Sequence, residues 1–151
     1  MKRRKGFSVI EIILVLGVIG ILSSFTVPKV RDYLAMAKDS KAINTLLNLR
    51  VASETYYLEK GSYPWSNTGI NDITKVLENL ENYIGNKIEK PESGENLLLE
   101  IGGSKADPDG SITYGGKIIL ELNEEKTYFI LTPQNEELKY NIRGEKWSEI
   151  W

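Results

Sequence analysis

The chain opens with an apolar run and then settles into shorter alternations. From Phe7 to Val27 almost every residue is apolar, a stretch of about 21 residues that spans about 31 Å as a helix. That length matches the hydrocarbon core of a bilayer. From Lys29 to about Glu59 there is no Gly or Pro, so the helix is expected to continue. Val30, Leu34 and Ala37 share one face at i, i+4, i+7, whereas Ala42, Ile43, Leu46, Leu47 and Leu49 cluster on roughly the opposite face. The change falls at Lys38-Asp39-Ser40-Lys41. It implies a helix that packs its second face on its own sheet and its first face on neighbouring helices; the plainer alternative is one irregular core helix. Tyr56-Tyr57-Leu58-Glu59-Lys60-Gly61-Ser62-Tyr63-Pro64 ends it. Lys60 complements the negative terminus, Gly61 suits a left-handed cap and Pro64 blocks continuation.

Beyond the turn, Ile73, Val76, Leu77, Leu80 and Ile84 carry helical spacing, predicting a short amphipathic helix over 70–84 with Asn71 or Asp72 as N-cap. Lys90-Pro91-Glu92-Ser93-Gly94 reads as a loop. The remainder alternates with period two. Leu97–Ile101, Ile112–Tyr114, Lys117–Leu122 and Thr127–Leu131 are predicted strands, with Asn123-Glu124-Glu125-Lys126 as a hairpin loop. Leu138, Tyr140 and Ile142 mark a further candidate strand. Helix first and hairpin-linked strands afterwards predict an α+β fold, a long N-terminal helix packed on a small antiparallel sheet.

Composition narrows the chemistry. The 151 residues include no His and no Cys. This excludes Ser-His-Asp and Cys-His nucleophiles, Cys/His metal sites and any disulfide.

The first residues change the picture most. Lys2, Arg3, Arg4 and Lys5 precede Gly6, and a lone carboxylate, Glu11, stands inside the apolar run. The cations should remain cytoplasmic, and an acidic side chain in a span costs about 2.5–3.5 kcal/mol. Such a residue is a functional candidate that calls for a partner, yet no Lys or Arg lies between Phe7 and Pro28. A new α-amino group, made by a cut after Gly6, would serve.

The sequence Lys-Arg-Arg-Lys-Gly, then Phe7, then Glu11 as the fifth residue after the Gly–Phe junction, then an apolar helix with Pro28 at its end, resembles the class III signal of the type IV pilin and pseudopilin family. The resemblance implies cleavage between Gly6 and Phe7 by a membrane-embedded prepilin peptidase and N-methylation of Phe7. It further implies that Glu11 meets the Phe7 amine of a neighbouring subunit in a helical filament, a homo-oligomer built at an inner-membrane assembly platform, and that Pro28 belongs to the assembly helix. The implied divisions are a leader over 1–6, a transmembrane and assembly half over 7–28, a soluble half of the helix over 29–60 and a globular region over 61–151. The precursor is expected in the inner membrane with a cytoplasmic N-terminus, and the filament subunit in the periplasm or at the cell surface. An ordinary secretory signal is a poorer fit, because Ser24-Phe25-Thr26 is a weak cleavage site; a plain single-span anchor leaves Gly6 and Glu11 unexplained.

Without the four leader cations, 15 cations face 21 acidic side chains, a balance of −6. That opposes nucleic-acid binding by bulk charge. Asp107-Pro108-Asp109-Gly110-Ser111 places Asp107 and Asp109 as weak Ca²⁺ candidates and partly resembles a turn of secretion-system pseudopilins, but no bidentate acidic partner follows. A plain β-turn is the expectation, with no cofactor. Gly110–Lys117 fails phosphate-loop spacing, and Gly17 and Gly20 are one residue short of GxxxG. Trp147 and Trp151 fit either a core or an interface. The expected role is a structural filament subunit and no enzyme; the alternatives are a pseudopilin of a type II secretion or DNA-uptake system and, remotely, a membrane-tethered exported enzyme or sensor.

Overall fold

The computed structural model describes residues 6–66, 72–85, 88, 90–92, 95–135 and 137–150. The leader cations, Ile70, Asn71, Ser93, Gly94 and Trp151 lie outside the described residues. Two compact units divide the chain, Met1–Leu34 and Ala35–Trp151, and the helix α1 (Val9–Lys60) runs through both. In the first unit every described residue but Asp32 is exposed, including Phe7 at 83% and Phe25 at 73%.

In the second unit α1 buries Ala35, Asp39, Ala42, Leu46, Leu49, Ala52 and Ser53. Positions 35, 39, 42, 46, 49 and 53 step by four and three residues, one continuous helical stripe. The face therefore does not begin after Lys38–Lys41: it starts at Ala35 and includes Asp39. Leu47, expected on the sheet side, is exposed at 37%, with Val51 and Leu58 at 66% and 83% on the same outer side. The apolar count misled because Ala, Asp and Ser form part of the buried stripe and Leu47 lies about 100° from Leu46.

The turn after α1 follows expectation. The Gly61 N–H donates to the Tyr57 carbonyl at 2.8 Å, and Gly61 has φ 73°, the left-handed cap that glycine adopts without a Cβ clash. Aromatic rings continue from there into the core. Tyr57 stacks on Tyr63 at 4.6 Å, Tyr63 on Trp65 at 4.9 Å, and Trp65 meets Phe129 edge-on at 5.6 Å.

Helix α2 covers Ile73–Leu80 and buries Val76, Leu77 and Leu80. It is shorter than the apolar spacing predicts: past Leu80 the chain tightens, with the Glu81 and Tyr83 N–H groups bonding three residues back to the Glu78 and Leu80 carbonyls. Tyr83 then packs edge-on against Tyr56 at 5.4 Å and donates its hydroxyl to Glu59 at 2.7 Å.

The strands are β1 (Leu97–Glu100), β2 (Gly103–Ser104), β3 (Thr113–Tyr114), β4 (Lys117–Leu122) and β5 (Phe129–Pro133). β1, β4 and β5 form an antiparallel sheet in that order, and β2 pairs with β3. Leu97, Ile118, Leu120, Phe129 and Leu131 enter the core with Leu46, Leu49 and Trp147. β2 was unforeseen, since Gly102-Gly103 reads as a strand end. The hairpin between β4 and β5 is also shifted: the Asn123 N–H bonds to the Tyr128 carbonyl at 2.9 Å, and Leu122 faces Phe129. The Asn123 side chain sets that register by accepting the Thr127 and Tyr128 N–H groups at 2.7 and 3.1 Å. Residues 138–142 form no strand. Tyr140 makes only isolated bridges, to Lys105 and Lys146, before a single 3-10 turn at Trp147–Glu149.

Candidate functional site

In the first unit the candidate residues cluster at the start of α1. Gly6, Phe7 and Ser8 precede the helix, so Ser8 is the N-cap and Glu11 the third helical residue. The Ser8 N–H donates to Glu11 Oε2 at 3.3 Å, and the Glu11 N–H donates to the Ser8 carbonyl at 3.0 Å. This is the carboxylate half of a capping box, a first-turn acid satisfying an orphan N–H. This partner is no cation, and the Ser-x-x-Glu spacing of Ser8 and Glu11 is its signal in the sequence. Pro28 lies inside α1, so the Ser24 carbonyl receives no N–H from position 28. Among the described residues one helix, α1, is long and apolar enough to cross a membrane, and its most apolar window is wholly exposed.

In the second unit, polar side chains on the buried side of α1 hold segments that are distant in the chain. Asp39, 5% exposed, accepts the Gly102 N–H on Oδ1 at 2.7 Å and the Ile142 N–H on Oδ2 at 3.3 Å. Burial pushes the Asp39 carboxyl up from its ordinary value, while the N–H groups of Gly102, Ile142 and Gly103 and the charge of Arg143 oppose that shift. Three turns further along α1, Arg50 donates from Nε to the Phe129 carbonyl at 2.8 Å and from Nη1 to the Ile150 carbonyl at 3.0 Å. Its guanidinium lies 5.3 Å from the Tyr128 ring centre, a cation–π contact, and burial pulls its pKa down. Trp147 is fully buried and donates Nε1 to Ser104 Oγ at 3.3 Å, which settles it as a core anchor. Hydrogen bonds and packing thus hold the C-terminal segment. Sequence reasoning passed over Asp39 and Arg50 because each looks like an ordinary solvated charge on a helix.

Asp107 and Asp109 are exposed. The Gly110 N–H closes a turn on the Asp107 carbonyl at 3.0 Å, and the Lys105 ammonium donates to the Pro108 carbonyl at 3.1 Å. Among the described residues no group of three or more acidic side chains is placed to hold a metal ion.

No family model matches the chain. It is 38% identical over 71 residues to a fimbrial protein of Neisseria meningitidis serogroup B, covering 47% of this chain and 42% of the relative. It is equally identical over 65 residues to the type IV major pilin protein PilE1 of Neisseria gonorrhoeae, 43% of this chain and 39% of the relative. The fimbrial protein EcpC of Eikenella corrodens matches at 38% over 64 residues, 42% of each. The chain thus spans less than half the length of these curated relatives. Over the stretches that align, the chain is similar to these type IV pilin and fimbrial proteins.

Proposed function

We propose that this protein is a structural subunit of a type IV pilus-like filament, made as a single-pass inner-membrane precursor with a cytoplasmic N-terminus and then cleaved and polymerised through α1. The observation that carries this reading is an exposed apolar helix opening directly after Gly6-Phe7, with Glu11 as the only charged side chain between Phe7 and Pro28. So large an apolar surface requires a bilayer or other subunits to cover it. In this reading residues 1–6 are a leader, 7–28 the membrane and assembly half of the helix, 29–60 its soluble half and 61–151 the globular region. Prepilin peptidase cuts between Gly6 and Phe7, and the Phe7 amine is methylated. Glu11 pairs with that amine on a neighbouring subunit, beside its own bond to Ser8. The related fimbrial proteins favour a pilus over a secretion filament.

Processing is tested by N-terminal sequencing of the mature protein, which should begin Phe7-Ser8. A start after Ser24 or Thr26 would indicate ordinary signal peptidase and overturn the assignment.

The filament subunit is further proposed to need no metal. The Asp107 carbonyl is engaged in its own turn, and both carboxylates of the turn face solvent. Calorimetric titration of the full chain in detergent with micromolar Ca²⁺ is expected to show no saturable heat; a stoichiometric signal lost in Asp109→Ala would refute this.

A further inference from the structure

The three-stranded sheet has two unlike edges. On β5 the Phe129 carbonyl accepts the Arg50 guanidinium, and Pro133 has no N–H to offer, so that edge is blunted. β1 is open. Its ladder with β4 extends to Ile101, whose N–H donates to the Gly116 carbonyl at 3.1 Å. Bonded and non-bonded pairs alternate in an antiparallel ladder. Ile101, Leu99 and Leu97 therefore bond toward β4, and the N–H and C=O groups of Leu98 and Glu100 point to the free edge. Among the described residues no hydrogen bond to those groups is present.

Beside this edge lies a groove of about 480 Å³ between β1 and α1, with Ala42 and Ile88 among its apolar lining and Lys38 and Lys41 on the helix side. Leu98 is 39% exposed. Glu100 stands 3.7 Å from Lys38 in an exposed pair and opposite Lys117 in the ladder. The groove and its edge thus carry Lys38, Lys41 and Lys117 against the one carboxylate of Glu100, and an exposed pair such as Lys38–Glu100 holds its partner weakly.

We propose that the β1 edge and its lysine-lined groove form a docking site for an extended acidic segment of a partner protein. The segment adds a strand beside β1 through the main-chain groups of Leu98 and Glu100, lays apolar side chains against Ile88, and brings carboxylates to Lys38 and Lys41. Main-chain bonds supply affinity in such strand addition, and the side-chain pockets and charges supply selectivity. The site is independent of the assembly role proposed for the N-terminal helix.

The test uses the full chain in detergent micelles and a fluorescent synthetic peptide of alternating Val and Glu, about eight residues long, with a Val–Lys peptide for comparison. Saturable binding of the acidic peptide is expected, weakened by added salt and absent with the basic one. Leu98→Pro removes an outward N–H without breaking a bond to β4 and should weaken binding about tenfold. Lys41→Glu should weaken it about as much, by charge reversal. Circular dichroism checks that each variant is folded. Unchanged binding to folded Leu98→Pro would place the peptide elsewhere and overturn the proposal. If that variant does not fold, Lys41→Glu decides, and unchanged binding to it has the same force. Self-association of the chain that Leu98→Pro abolishes would make a second copy the occupant, and would also overturn it.

Discussion

Gly102→Ala is expected to destabilise the second unit by about 4 kcal/mol, measured as a fall in the urea midpoint of the full chain in detergent. A Cβ at Gly102 would lie 1.9 Å from the Ala35 carbonyl oxygen and 2.3 Å from the Ala35 Cα. No rotamer change relieves a clash with helix backbone, so the β1–β2 corner must lift away from α1. Lifting it breaks the bond from the Gly102 N–H to Asp39, and the overpacking and the lost charged hydrogen bond act together. Gly85→Ala is the control: that position is exposed and has nothing within 4 Å of an added Cβ, so a shift within about 0.5 kcal/mol is expected. Asp39→Ala tests the same joint from the helix side. It leaves the buried Gly102 N–H and the Ile142 N–H without their acceptor and should cost about 2 kcal/mol. A Gly102→Ala protein as stable as the parent would mean that the corner does not rest on Ala35.

Glu11→Ala is expected to lower filament yield about tenfold or more while leaving cleavage and the stability of the second unit unchanged within about 0.5 kcal/mol. The proposed pair with a neighbour's Phe7 amine would fix the stagger of subunits in a medium where an isolated carboxylate is costly. The bond from the Ser8 N–H to Glu11 gives the side chain a second, local role, and a glutamine separates the two. Glu11→Gln keeps an oxygen acceptor for the cap but removes the charge, so it should fail to assemble nearly as Glu11→Ala does. Glu11→Asp keeps the charge on a side chain about one methylene shorter and should retain part of the yield. The readout is sheared polymer against the total membrane pool of processed subunit. Normal yield from Glu11→Gln would show that the cap alone matters, and normal yield from Glu11→Ala would remove Glu11 from assembly altogether.

Local patterning determined much of this protein by itself. The long apolar run, the turn at Gly61, the core of α2 and strand β4 (Lys117–Leu122) were legible because each depends on spacing and breakers within a few residues. The candidate N-terminal cluster was legible for the same reason: Gly6, Phe7 and Glu11 stand together in the chain. Even there the capping bond from Ser8 follows from Ser-x-x-Glu spacing and is invisible to a reading of charge alone. Tertiary structure decided what joins distant segments. Asp39 meets Gly102 and Ile142, 63 and 103 residues away, and Arg50 meets Phe129 and Ile150, 79 and 100 residues away. No local rule marks such charges for burial, because burial becomes favourable only once backbone groups from elsewhere arrive to satisfy them. The same holds for the hairpin register and for residues 138–142. Alternation at Leu138, Tyr140 and Ile142 permitted a strand, but the carboxylate of Asp39 and the seat of Trp147 fixed that segment as single bridges instead.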